Sequence, residues 1–399
     1  MLGKKITVFH PYLVERGGSQ RYTIDLCNAL KNKGFDVELL TFYYNKENCF
    51  PELTKDISVI ALYYPIKYKK AVNILNNINC INKIIINSGI LIVLNTIKML
   101  FLIHKLKNKK LIKKNNSIII NETGIFNLLA KYYKYKIIII YDTNDKIIKW
   151  SKNNIFLSKY KLLVDLIILK CTKRHWIYIF NKIYVLDKEM KNNVKNYYKY
   201  NSIILKPGVL SIATNEKKFN ESEINILCNS RIVKYKRLED LIYLGEKLNV
   251  HKKIFRININ APIEDNHYYN KLKKEIQFYN LHKNITINTN HFKDDNDLLE
   301  TYNKNDIFIF PSENQTWGQA VLEAMALGMV VIVSKGCGIH SIIENGINGF
   351  VYETGNINEL IRIILGIDKI KFELISSNAV NFVKKNYDWN HSVNLIINE

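Results

Sequence analysis

Residues 310–334 read FPSENQTWGQAVLEAMALGMVVIVS. An apolar run ending at Phe310 leads into a polar loop, then a helix opening at Trp317-Gly318, then a second apolar run, Val330–Ser334. Strand, loop, helix and strand in that order make a βαβ unit, which joins parallel strands by a right-handed crossover. The loop after a parallel strand's carboxyl end is where open α/β sheets receive ligands. Behind Gly318, the first helical N–H groups, at Gln319, Ala320 and Val321, lack intrahelical partners by position. That positive mouth suits a diphosphate. Glu323, the single carboxylate of an otherwise apolar helix, lies a turn further in. There it could accept two hydrogen bonds from a vicinal diol such as a ribose, or merely satisfy its own helix.

The same pattern recurs along the chain. Strands are predicted at Ile6–His10, Val37–Phe42, Ser117–Asn121, Ile137–Tyr141 and Lys182–Leu186. A second series is predicted at Ile203–Lys206, Ile224–Asn229, Phe255–Ile259, Ile285–Ile287, Ile307–Phe310 and Val330–Ser334. Short β-rich runs alternating with helices imply parallel sheets covered on both faces. The restart after LKPGV (205–209), where Pro and Gly break the pattern, marks a joint between two Rossmann-like, doubly wound α/β domains. A length of 399 residues, too great for one ordinary core, agrees.

Two further stretches carry candidate chemistry. After the first strand, VERGGSQ precedes a helix, and Gly17-Gly18 would let a ligand approach the backbone and the free amides of that helix, unless the pair serves packing alone. In NSRIVKYKRLEDL (229–241), Arg231 ends a strand and Lys236 stands just before a helix. A guanidinium fork and an ammonium at one turn could grip a pyrophosphate, although isolated loop cations are usually solvated. DDND (294–297) contains a D-x-D, but it precedes LLETY, so Asp295 or Asp297 reads as a helix N-cap rather than a metal ligand.

The formal charge of +22 draws the chain to polyanions: nucleic acid, anionic lipid or a phosphorylated substrate. No basic recognition helix or aromatic ribbon supports nucleic acid. The run KLKNKKLIKK (105–114) reads as a solvated helix end or as a membrane-surface contact. The apolar stretch 84–103 is interrupted by Asn87, Ser88, Asn95, Thr96 and Lys98, which favours a buried or membrane-grazing helix over a span. Six scattered cysteines without a CxxC, and a start without a long apolar core, place the chain in a reducing compartment.

These stretches together resemble retaining glycosyltransferases of the GT-B fold, the large family-four type, over nearly the whole chain. HPYLVERGGSQRYTIDLCNALKNKGFDVELLT (10–41) is similar to the family's amino-terminal stretch, and VLDKEMKNNV with ILKPGV to its crossover. SRIVKYK resembles an R-x4-K phosphate grip. The 310–334 stretch followed by GINGFVY resembles the most specific signature, and NYDWNHSVNLI the closing segment. The resemblance implies two facing domains: 1–203 on the acceptor side, 204–382 binding the nucleotide sugar across a cleft, and 383–399 as a helix returning to the first. It implies that Arg231 and Lys236 neutralise the donor diphosphate, that Glu323 holds the ribose, and that Gly17-Gly18 lie against the phosphates. It further implies hexosyl transfer without metal or other cofactor, to a lipid-linked or glycan acceptor, while the basic first domain and the apolar segment 84–103 suggest a place at the inner, cytoplasmic face of a membrane.

Three departures qualify it. The family usually has a glutamate at the position of Gln315, whose amide accepts and donates but adds no negative charge beside a developing oxocarbenium ion. Glu313 is a possible substitute. A family histidine after the strand at 137–141 is replaced by Asp142 and Asp145, with His10 as another acceptor-side candidate. Ser341 stands where a glutamate is common. The alternative reading is therefore a non-catalytic nucleotide-sugar-binding subunit or scaffold.

Overall fold

The computed structural model describes residues 4–63, 103–104, 108, 116–121, 125–140, 176–209, 217, 219–290 and 292–398. The chain divides into two compact units, 1–206 with 389–399, and 207–388.

The first unit's sheet contains β1 (Lys5–Phe9), β2 (Tyr12–Leu13), β3 (Asp36–Tyr44), β4 (Ser58–Tyr63), β5 (Ser117–Ile120), β6 (Tyr135–Ile140), β7 (Lys182–Val185) and β8 (Ile203–Ile204). The main order is β4-β3-β1-β5-β6-β7-β8, every pair is parallel, and β2 extends the β1 side of β3. Ser117 to Ile120 are all buried, as a strand covered on both faces requires. Helix α1 (Gly18–Asn32) follows β1 and buries Tyr22, Leu26 and Leu30. Short helix α2 (Pro51–Thr54) follows β3, and α3 (Lys188–Tyr198) is N-capped by Asp187.

The second unit has β9 (Ile224–Asn229), β10 (Phe255–Asn260), β11 (Ile285–Asn288), β12 (Ile307–Phe310), β13 (Val330–Ser334) and β14 (Phe350–Tyr352). Their order is β11-β10-β9-β12-β13-β14, again all parallel. Numbered within the unit this is 3-2-1-4-5-6, so the connection reverses direction between β9 and β12 and leaves a crevice outside their carboxyl ends. Its helices are α4 (Glu239–Val250), α5 (Asn266–Phe278), α6 (Asp295–Asn303), α7 (Gln319–Ala326), α8 (Ile357–Leu365) and α9 (Lys369–Asn386).

Several expectations need correction. Ile203–Ile204 does not open the second series; it pairs with β7 and closes the first sheet. The segment 383–399 is not one element, because α9 runs through Val383 to Asn386 within the second unit. The last helix, α10 (Trp389–Asn398), begins afterwards and packs on α1. The cap of α6 is Asp294, whose carboxylate accepts from the Asp297 amide at 3.0 Å, rather than Asp295 or Asp297. Strands β4 and β14 were not anticipated. No helix among the described residues is long and apolar enough to cross a membrane. Most of 84–103 and of 105–114 lies outside the described residues.

Helix α10 is held by packing. Val393 and Ile396 are fully buried, Trp389 meets the Tyr22 ring edge-to-face at 5.0 Å, and the Tyr184 hydroxyl donates to the Leu395 carbonyl at 3.4 Å. Ile396→Ala is therefore expected to destabilise the first unit by about 2–5 kcal/mol through lost burial and the cavity left behind. Urea unfolding followed by hydrogen exchange would check this, with protection falling at Ile118 to Ile120 and holding at Ile307 to Phe310; the reverse pattern would assign α10 to the wrong unit.

Candidate functional site

The crevice between β9 and β12 is lined by the loops that follow them. After β9, Lys234–Lys236 form a single 3-10 turn closed by Arg237, which is left-handed at φ 50°. Arg237 is held there by a two-toothed contact with the carboxylate of Asp240, at 3.0 and 2.8 Å. That closure turns Lys236 inward, where it is only 4% exposed. Its ammonium lies 5.4 Å from the centre of the Phe310 ring and 5.1 Å from that of Tyr235, and it donates to Gln315 Oε1. Burial, reinforced by the charge of Arg231, pulls the Lys236 pKa down to about 8. The hydrogen-bond acceptor of this buried cation is a neutral amide.

Arg231 is half-exposed. It pairs with Glu264, from the loop after β10, and donates to the Tyr235 hydroxyl at 2.8 Å. Arg231, Tyr235, Lys236 and Gln315 thus form one contiguous group. An incoming anion would compete with Glu264 for the guanidinium.

Gln315 is fixed by its backbone. Its N–H donates to the Gly336 carbonyl at 3.1 Å and its carbonyl accepts from Gly338 at 2.8 Å, zipping the loop after β12 to the loop after β13. The Cys337 thiol adds a contact to the Ser312 carbonyl at 3.2 Å. Burial pushes that thiol up to about 11, so it serves as packing rather than as a nucleophile. A Cβ at Gly336 would collide with the Glu313 carbonyl, so close backbone approach demands glycine there. Glu313 holds its exposed carboxylate 3.9 Å from Arg237.

Gly318 caps α7 without a side chain. The expectation of three open amides is corrected to two. The Val321 N–H donates to the Gly318 carbonyl at 3.0 Å, which leaves Gln319 and Ala320 at the mouth. The Gln319 side chain donates to the Gly208 carbonyl at 3.1 Å. Glu323 is partly buried and accepts from the Tyr302 hydroxyl at 3.0 Å. A larger concavity, about 630 Å³ between Tyr269, Lys273 and Ile287 on edge strand β11, shares no residue with this group and has no comparable charge arrangement.

The first unit has its own switch point, between β1 and β5. His10 lies there, 3% exposed, with Nδ1 accepting from the Tyr12 amide at 3.3 Å. Burial holds its pKa down to about 4, so the ring is neutral with its proton on Nε2, which finds no partner among the described residues. Across the strand pair, buried Asn121 donates to Thr23 at 3.1 Å while its Oδ1 is likewise unpartnered. Gly17 caps α1 in an ordinary extended conformation, at φ −150°, so its value lies in missing bulk rather than in φ. Asp142 and Asp145 lie outside the described residues.

With this geometry in view, the comparisons with known proteins can be set beside it. Residues 212–371 match the family model described as glycosyl transferases group 1. The chain thus carries a stretch similar to group 1 glycosyl transferases over about two fifths of its length, within the second unit. The chain is 23% identical over 371 residues to an uncharacterised glycosyltransferase of Haemophilus influenzae, spanning 90% of this chain and 89% of that protein. Its fold is GT-B. Structures similar to it include S. aureus TarM, at 15% identity, TM-score 0.71 and 99% coverage of both chains. Anabaena HepE, solved in complex with UDP and glucose, aligns at 14% identity, TM-score 0.69 and 99% of both chains.

Sequence reasoning missed Tyr302, Glu264, Asn121 and Cys337. Asn121 and Glu264 follow β5 and β10, neighbours of the first strand in each sheet, so strand order would have flagged both. Tyr302 and Cys337 are brought in by packing and left no local signal.

Lys236 also gives a stability signature. Its folded pKa, about 8, lies below the usual 10.5, so the burial of its charge costs stability below about pH 8. Above pH 8 the unfolded chain binds the extra proton, and the cost is relieved as pH rises toward 10.5. Lys236→Met is thus expected to raise the thermal midpoint of the second unit at pH 7, by an increment that shrinks at pH 9–10. Melting curves across that range check it; an increment growing with pH would mean that the ammonium is well paired.

Proposed function

We propose that this protein is a glycosyltransferase that moves a hexose-type sugar, with retention of anomeric configuration, from a nucleotide-diphosphate donor to a lipid-linked or glycan acceptor. The observation that carries the reading is the buried Lys236 ammonium, held by a neutral amide beside Arg231 at the β9/β12 switch point. Such a cation is under-compensated, and a diphosphate would supply the missing negative charge. The two open amides of α7 face the same need. Glu323, one turn deeper, is suited to the donor's ribose diol. UDP is the first nucleotide to try, since it occupies the HepE and TarM structures.

In the transfer, the bond from the sugar's anomeric carbon to the diphosphate oxygen breaks, and its electron pair stays on the phosphate. Arg231, Lys236 and the amides of Gln319 and Ala320 stabilise that developing charge without a resident metal. The acceptor hydroxyl attacks from the face that the diphosphate leaves and gives its proton to a departing phosphate oxygen. Gln315 orients a sugar hydroxyl but adds no charge at the anomeric centre. On the acceptor side, the His10 Nε2–H is the position to test, with Asp142 and Asp145 as further candidates. A place at the inner face of a membrane rests on the +22 charge.

The test is a thermal-shift and calorimetric screen with UDP, GDP, ADP and their sugar conjugates, since a bound ligand raises stability by mass action. One nucleotide should raise the midpoint. Arg231→Ala and Glu323→Ala should each weaken its binding about tenfold, because each removes a charged hydrogen-bond partner. Wild-type affinity should also fall as pH rises through about 8, where Lys236 in the empty site loses its proton. Unchanged affinity in both variants would remove the assigned pocket.

A second reading, a nucleotide-sugar-binding subunit without turnover, is favoured by the amide of Gln315 meeting Lys236 where a carboxylate is usual. Gln315→Glu separates the two. An enzyme gains or loses transfer rate on a broad acceptor panel, measured as nucleotide release. A subunit binds donor and releases none in either form.

A further inference from the structure

We propose that Tyr302 is a positioning residue for donor binding: its hydroxyl fixes the Glu323 carboxylate in the orientation that receives a ribose diol. This rests on the assignment of Glu323 given under Proposed function, and the experiment below separates the two.

Tyr302 sits in the last turn of α6 and is fully buried. Its ring stacks on Phe308 of β12, with centroids 5.9 Å apart and planes at 23°. Its carbonyl accepts from the Lys217 ammonium at 2.8 Å, so both ends of the residue are held. The hydroxyl lies 3.0 Å from Glu323 Oε2 and 3.3 Å from the Ala320 carbonyl. A hydroxyl has one proton, and the closer, charged acceptor takes it. Burial raises the phenol far above its ordinary range, with the Glu323 charge adding to the effect, so that proton is retained.

The surroundings strengthen the contact. Leu298, Leu299, Ala326 and Leu327 wall a recess of about 10 Å³ against Tyr302 and Glu323. That space holds about one water, so solvent competes poorly for the carboxylate on this side. A glutamate has three rotatable side-chain bonds, and each left unfixed would have to be ordered when the ligand arrives. Tyr302 orders the group beforehand, which is the arrangement that raises affinity without new ligand contacts.

Tyr302→Phe keeps the ring and its stacking, and removes only the donor. The probe is whichever of UDP, GDP or ADP binds in the screen above, compared with its 2′,3′-dideoxy form by calorimetry on the full chain. Tyr302→Phe is expected to weaken the ribonucleotide about three- to tenfold, the worth of one hydrogen bond, and to leave the dideoxy form unchanged. Glu323→Gln should likewise weaken only the ribonucleotide, so that the preference for it over the dideoxy form (the selectivity) falls in both variants, and the double variant should lose less than the sum. Equal weakening of both nucleotides by Tyr302→Phe would mean a structural role and overturn the proposal. Selectivity lost in Glu323→Gln but kept in Tyr302→Phe would overturn it while sparing the Glu323 assignment. Selectivity kept in Glu323→Gln would end both.

Discussion

The second unit is organised around a lysine taken out of water whose hydrogen-bond acceptor, among the described residues, is a neutral amide. Removing an ammonium from solvent costs several kcal/mol unless something replaces its hydration shell. Here the replacement is partial: two aromatic faces and the oxygen of an amide. The arrangement persists because the backbone leaves no alternative. Arg237 and Asp240 clamp the turn that presents the lysine, and the Gly336–Gln315–Gly338 ladder clamps the amide that receives it. A stability deficit concentrated at one buried cation is what an anion-binding site looks like before its anion arrives.

This view changes the meaning of Gln315. A glutamate there would form a true ion pair with Lys236, hold the lysine protonated and cancel much of its charge. The amide keeps the lysine oriented and leaves the positive field for the ligand. What is surrendered is negative charge near the anomeric carbon, where a carboxylate would help a developing cation. On the proposed function, Gln315 would exchange transition-state help at the sugar for grip on the diphosphate, the half of the reaction assigned there to Arg231 and Lys236.

The parts legible in the sequence were those governed by local physics. Strands such as Ile307–Phe310 and Val330–Ser334 are apolar throughout because both faces of a parallel sheet are covered, and turns at Gly17-Gly18 and Gly318 announce themselves. Strand β14, FVY after the GINGF turn, is too short to stand out by periodicity, and Ile203–Ile204 was given to the wrong sheet because a two-residue strand has no pattern of its own. In the site, Arg231, Lys236, Gln315 and Glu323 were recognisable because each sits at a fixed offset from a strand end. Glu264 on Arg231 and Tyr302 on Glu323 were not, since both contacts cross between elements 21 or more residues apart. Val321 was misjudged for a subtler reason: the Gly318 carbonyl is captured by a tight first turn, which a generic count of helix-end amides does not foresee.

The two sheets share a strand order yet present opposite chemistry at their switch points. The second unit offers fixed positive charge: Arg231, a buried Lys236 and open helix amides. The first offers buried neutral groups, the His10 Nε2–H and the Asn121 Oδ1, a donor and an acceptor without partners among the described residues. Cations select for phosphate, whereas a neutral donor and a neutral acceptor each suit a hydroxyl. A neutral His10 is also the right state for this. Protonated, it would place a buried cation at the first unit's switch point, and its depressed pKa makes that state costly anywhere near neutrality. On the proposed function, this difference in charge between the two switch points would suit the anionic donor to the second sheet and the hydroxylic acceptor to the first.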